Sequence, residues 1–208
     1  MDTNNHNLNL QGMFAKPILK TGKPTVLGGK DSKIRTLRAD EYEALRVGAG
    51  KESNQVQLDT LLLTGMRYVE VQRLHERPEW FDGNFVYLPK EAVLKQERKQ
   101  AERYVRLNLL GKEILPRFFE VKNIPSSETW RENLERWAGK VGLDPVGLGP
   151  KTTRKTWESW LMTVYPEHSA EIVLSQGHTA ATSLHHYLNM PFLQTDKERI
   201  KVWVGGFF

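Results

Sequence analysis

One stretch of this chain, "RYVRLNL" at 103–109, alternates strictly between two faces, while apolar residues elsewhere recur mostly every three or four positions. Alternation suits a strand with one buried face; the longer spacing suits a helix with one buried stripe. With so little of the first pattern and so much of the second, a sheet can only be a small insert among helices. "EWF" at 79–81, an Asp82-Gly83 turn and "NFVYLP" at 84–89 read as a hairpin ahead of that strand. The expected fold class is α+β and mainly α, with a small three-stranded antiparallel sheet and a run of C-terminal helices.

Helical spacing covers Ala39 to about Gly48, then Glu52 to Leu63, where Leu58, Leu61 and Leu62 share one side, and resumes in "YVEVQRL". Beyond the strands it covers Gly111 to Val121 and Ser127 to Lys140, with Ser126 or Ser127 as N-cap and Trp130, Leu134 and Trp137 as the apolar stripe. After the break "VGLDPVGLGP", helices are expected over Thr153–Tyr165, Glu167–Leu174 and Ala180–Asn189, followed by the tail "TDKERIKVWVGGFF". Trp157, Trp160 and Leu161 are expected in the core, as are Trp80, Trp130 and Trp137. The tail carries Ile200, Val202, Val204 and two final phenylalanines, more apolar than a free tail should be.

The length of 208 residues, 39% of them hydrophobic, suffices for one core and an arm. Residues 1–35 lack sustained periodicity and read as a flexible basic arm carrying Lys16, Lys20, Lys23, Lys30, Lys33 and Arg35; the folded domain is expected over 36–208. The absence of cysteine excludes disulfides, thiolate metal sites and cysteine nucleophiles. No apolar run approaches the ~18–20 residues that span a bilayer and no secretory leader opens the chain, so a soluble protein in the cytoplasm is expected. A net charge of +5 and a pI near 9.3 permit a nucleic-acid partner.

Basic residues concentrate between the second and third strands. "KEAVLKQERKQAE" is a polar connection of 13 residues, and from Lys90 to Arg106 the chain carries Lys90, Lys95, Arg98, Lys99, Arg103 and Arg106 against Glu91, Glu97 and Glu102. It reads as a finger toward phosphate, or as a merely solvated hairpin. Arg67 follows a Thr-Gly turn and on its own reads as an exposed arginine. Arg154 opens another helix, where the dipole does not favour a cation.

"LSQGHTAATSLHHYL" at 174–188 gathers His178, His185, His186 and Tyr187. Adjacent His185 and His186 point about 100° apart on a helix, and no acid lies between His178 and His185, so no metal site is expected. Tyr187 alone reads as a half-buried packing residue.

The order of these residues resembles the catalytic domain of the tyrosine recombinases, the phage-type integrases. "LLLTGMRYVEVQRL" is similar to the family's first arginine box, with Arg67 as the arginine and Glu70 in the acidic position. "KTTR" resembles the second box, with Arg154 in the arginine place and Lys151 where a histidine usually stands; a Lys-x-x-Arg box is similar to those of archaeal virus and plasmid integrases. "LSQGH" resembles the Leu-x-x-Gly-His turn, and Tyr187 lies nine residues after His178, as the family's nucleophile does.

The resemblance covers about 36–208 and implies a site-specific DNA recombinase. Tyr187 would attack a phosphodiester to give a 3′-phosphotyrosyl link, with Arg67, Arg154, His178 and Lys151 around the phosphate. A hairpin lysine would protonate the leaving 5′-oxygen: Lys95 lies past the strand's end and eight residues before Arg103, with Lys99 its neighbour. Lys90, Arg98, Lys99 and Arg103 would touch DNA. Neither metal nor ATP is implied. The expected partners are duplex attachment sites in the nucleoid and a homotetramer of this chain, with room for accessory DNA-bending proteins.

In most of the family an α-helical DNA-binding domain precedes the catalytic one; the resemblance leaves either an isolated catalytic domain or a reduced enzyme that uses its arm. The C-terminal segment could dock on its own chain or on a neighbour. Related readings are a type IB topoisomerase or telomere-resolvase-like enzyme, and a non-catalytic DNA-binding protein on the same scaffold.

Overall fold

The computed structural model describes residues 34–92, 102–177 and 192–208. Eight α-helices and one two-stranded sheet make up these residues: α1 (Ala39–Ala49), α2 (Glu52–Thr64), α3 (Tyr68–Glu76), β1 (Phe85–Leu88), β2 (Arg103–Arg106), α4 (Leu109–Phe119), α5 (Ser127–Lys140), α6 (Thr152–Val164), α7 (Ser169–Gln176) and α8 (Gln194–Val204). The expected helix over Ala180–Asn189 and the arm over 1–33 lie outside the described residues.

Helix starts follow local chemistry. Ser126 Oγ accepts the Thr129 N–H at 3.1 Å, and Asn108 Oδ1 accepts that of Gly111 at 2.9 Å. In α1, α3 and α8 a carboxylate on the first turn reaches back to the preceding main chain: Glu41 to Arg38 N–H, Glu70 to Arg67 N–H and Asp196 to Leu193 N–H. Each satisfies a donor that the helix itself leaves open.

The sheet has two strands among the described residues, not three. β1 and β2 pair antiparallel with Val86 opposite Val105 and Leu88 opposite Arg103. Pro78 instead opens a 3₁₀ turn over Pro78–Trp80, because its fixed φ suits a helical first position, and only Phe81 remains to bridge Val86. The hairpin turn is present, with Asp82 Oδ1 accepting from Asn84 and Phe85 N–H at 2.8 Å.

Helices α1, α2, α4, α5, α6 and α8 enclose one core in which Trp130, Trp137, Trp157, Trp160, Tyr42 and Phe118 are buried. Trp80 is only partly buried at its edge. Residues 195–204, expected as tail, lie in α8, which packs on α1 and α6 of the same chain through Ile200, Trp203 and Val204. Arg35 belongs to the folded domain and not to the arm: it is buried, pairs with Glu41 and donates to the Asp144 carbonyl.

Candidate functional site

The last turn of α7 is the centre of the site. A helix ends with carbonyls that have no partner within it and carry the negative end of its dipole, so cations are their natural partners. Three arginines from three elements meet three consecutive carbonyls here. Arg103 Nε donates to Ser175 O at 3.0 Å, Arg154 Nη2 donates to Gln176 O, and Arg67 Nη2 lies 3.5 Å from Gly177 O. Gly177 ends the helix with φ +65°, and a Cβ there would stand 3.1 Å from Cδ and Nε of Arg103. The backbone conformation favours glycine, and a side chain there would also press on Arg103.

Each arginine is placed by its own segment. α2 stops at Gly65, which has φ +58°, and a Cβ there would lie 2.6 Å from Trp157 Cδ1 and from Gln176 Nε2. That close approach carries the chain through buried Met66 to Arg67, the residue that caps α3. Arg154, on the first turn of α6, also donates through Nη1 to Gly65 O at 2.8 Å. It thus ties the turn before Arg67 to the end of α7, and buried Trp157 fixes the same helix beneath it. Arg103 begins β2 on the strand face that Val105 also buries.

Glu70 joins them. Its side chain is fully buried; Oε1 accepts Arg67 Nη1 and Oε2 accepts Arg103 Nη2, each at 2.8 Å. Burial alone would raise this carboxyl, but the charge and hydrogen bond of Arg103, with Arg67 behind them, hold it at about 2. Arg154 is pushed down to about 10, first by burial and then by the charge of Arg67, with Glu70 opposing. The part of that shift due to Arg67 reflects two cations side by side, which an anion would relieve, and Arg154 stays protonated at neutral pH. Arg67 is the most open of the three, one-third exposed, and is the one whose guanidinium solvent reaches.

Two buried polar atoms in this region, Arg103 Nη1 and Gln176 Oε1, have no hydrogen-bond partner among the described residues. Lys151 is exposed at the start of α6, three residues before Arg154. One turn on, Lys155 is lowered by burial and then by the charge of Lys151. Lys90 is exposed in a 3₁₀ turn after β1. Lys95, Arg98, Lys99, His178 and Tyr187 lie outside the described residues.

Arg103 corrects the sequence reading. Expected on a finger in contact with DNA, it is instead buried at 8% exposure, with Nε and Nη2 committed to Ser175 and Glu70. The alternation of "RYVR" held the signal, since Arg103 and Val105 share the inward face. Arg106 is likewise engaged, donating to Phe207 O at 3.3 Å with its guanidinium 5.0 Å from the Phe208 ring centroid. Gln176, buried against Gly65, was not singled out by the sequence; only its place before the Gly-His pair could have marked it.

Among the described residues no group of three or more His, Asp or Glu is placed to hold a metal ion, and no helix is long and apolar enough to cross a membrane. A separate groove of about 650 Å³ between the start of α2 and the end of α4, lined by Gln57, Arg117 and Lys122 among others, shares no residue with the arginine cluster. No protein-family model and no curated protein matches this sequence.

Proposed function

We propose that this protein is a DNA strand transferase of the tyrosine-recombinase type, with Arg67 and Arg154 gripping the scissile phosphate. The observation that carries the reading is their convergence, through Gly65, Gln176 and Gly177, on the turn that leads in sequence to His178 and, nine residues later, Tyr187. A phosphodiester under attack gains negative charge on its non-bridging oxygens, and fixed guanidinium forks stabilise it without rearranging during the reaction.

In this mechanism the Tyr187 phenolic oxygen bonds to phosphorus and the bond from phosphorus to the 5′-oxygen breaks. The phenolic proton passes to water while Lys151 donates to the phosphate, and the departing 5′-oxygen takes a proton from Lys95 or Lys99. The phosphotyrosyl link keeps the energy of the broken bond, so a free 5′-hydroxyl can attack it and regenerate Tyr187. Neither metal nor ATP enters. His178 adds a hydrogen bond to the phosphate. Duplex DNA is the substrate, four protomers on two sites are the working assembly, and the nucleoid is the place of action.

The test is a pool of nicked duplexes drawn from DNA that the protein retains, with the nick placed so that the short cleaved piece diffuses away. A covalent adduct stable to detergent is expected with the wild type and not with Tyr187→Phe. Retention of the DNA with no adduct would sink the enzyme reading and favour a binding protein. Exchange between two labelled duplexes separates recombination from cleavage and resealing alone.

A further inference from the structure

We propose that Arg103 is a positioning residue: it holds the Glu70 carboxylate in place, and Glu70 in turn aims the Arg67 guanidinium at the phosphate. The effect on catalysis rests on the strand-cleaving reading; the geometry does not.

Arg103 cannot grip DNA itself. It is buried, and two edges of its fork are spent, Nε on Ser175 O at 3.0 Å and Nη2 on Glu70 Oε2 at 2.8 Å. Its stem runs against the backbone of Gly177, where even a methyl group would come within 3.1 Å. Held at both ends, it fixes Glu70 relative to the end of α7. Glu70 has two further duties, since Oε2 also accepts the Arg67 main-chain N–H and Oε1 accepts Arg67 Nη1.

Anchored by Arg103 as well as by the Arg67 main-chain N–H, the carboxylate is a fixed post, and the half-buried Arg67 guanidinium is oriented from its buried side. A lysine at 103 could pair with Glu70 but, as a single point donor, could not also hold Ser175 in the fork geometry.

The test compares Arg103→Met and Arg103→Lys with Arg67→Ala in adduct formation and DNA affinity, alongside a crystal structure of each Arg103 variant. Misplacing a reacting group by about 1 Å costs roughly 100-fold, so Arg103→Met should slow adduct formation by about that factor with DNA affinity unchanged. Arg103→Lys should recover part of the loss. Adding Arg103→Met to Arg67→Ala should cost nothing further, because the residue being aimed is gone.

Losses that multiply in the double variant, or DNA affinity that falls in step with the rate, would overturn the proposal. So would an Arg67 guanidinium unmoved in the Arg103→Met crystal structure; if that variant does not fold, Arg103→Lys serves, with Arg67 again expected to shift. If wild type forms no adduct but Arg67 moves when Arg103 is replaced, the positioning role stands and the strand-cleaving reading falls.

Discussion

Replacing Glu70 with Gln keeps the shape of the side chain and removes its charge, leaving Arg67, Arg103 and Arg154 without the carboxylate at their centre. The native carboxyl sits at about 2 instead of 4.5. At about 1.4 kcal/mol per tenfold change in proton affinity, the ionised form contributes about 3 kcal/mol to folding at neutral pH. The shift is downward, so this contribution is complete above 4.5 and is lost as pH falls through about 2. At pH 3 less than half should remain. Urea unfolding of wild type and Glu70→Gln should therefore show a gap of about 3.4 kcal/mol at pH 7, narrowing to about 1.4 kcal/mol at pH 3. Inorganic phosphate should recover part of the variant's loss, since it supplies the missing negative charge. A gap below about 1 kcal/mol at pH 7, the range of an exposed ion pair, or one of equal size at both pH values would refute the central role of Glu70.

Arg154→Met should behave in the opposite way. It removes hydrogen bonds to Gly65 O and Gln176 O, about 1 kcal/mol each, and also a buried charge held at about 10 instead of 12.5, a penalty of about 3 kcal/mol at every pH below about 10. Stability by urea unfolding should change by no more than about 1–2 kcal/mol while adduct formation falls about 10²–10³-fold; a loss of stability above about 3 kcal/mol would contradict this. Gly65→Ala should be far worse than Gly83→Ala by thermal unfolding, because both have positive φ but only Gly65 is crowded, with Trp157 and Gln176 atoms 2.6 Å from the would-be Cβ and none within 4 Å at Gly83; equal losses would show that packing there is slack. Of Lys95→Ala and Lys99→Ala, the variant rescued by a 5′-phosphorothiolate, whose sulfur leaves without a proton, is the general acid; rescue of neither places the acid elsewhere.

Helix α5 was legible to its ends, because Ser126 is a strong cap and Trp130, Leu134 and Trp137 keep helical spacing. The first of the three expected strands, "EWF" at 79–81, was misread because three residues carry too little periodicity to outweigh Pro78, which favours a 3₁₀ turn. α8 was readable in principle, since Ile200, Trp203 and Val204 have helical spacing and Asp196 caps the start, but its apolar residues were read only as those of an unusually apolar tail. At the site, Arg67 and Arg154 stood out through the resemblance and Arg103 through charge alone, which sent it to the wrong face. The joining of all three through carbonyls 175–177 was not legible, since main-chain oxygens look alike in every sequence and only the path of the chain decides which of them meet a cation.

The most direct measurement is to map the residue that carries DNA. After the adduct is digested with trypsin and nuclease, the peptide spanning 156–197, which contains both Tyr165 and Tyr187, is fragmented in the mass spectrometer. The nucleotide phosphate is expected on Tyr187 through the 3′-oxygen of the DNA. Phosphate on Tyr165, whose hydroxyl donates to the Val204 carbonyl within the fold, or on any residue outside this peptide, would contradict the assignment of Tyr187 as the nucleophile served by Arg67 and Arg154.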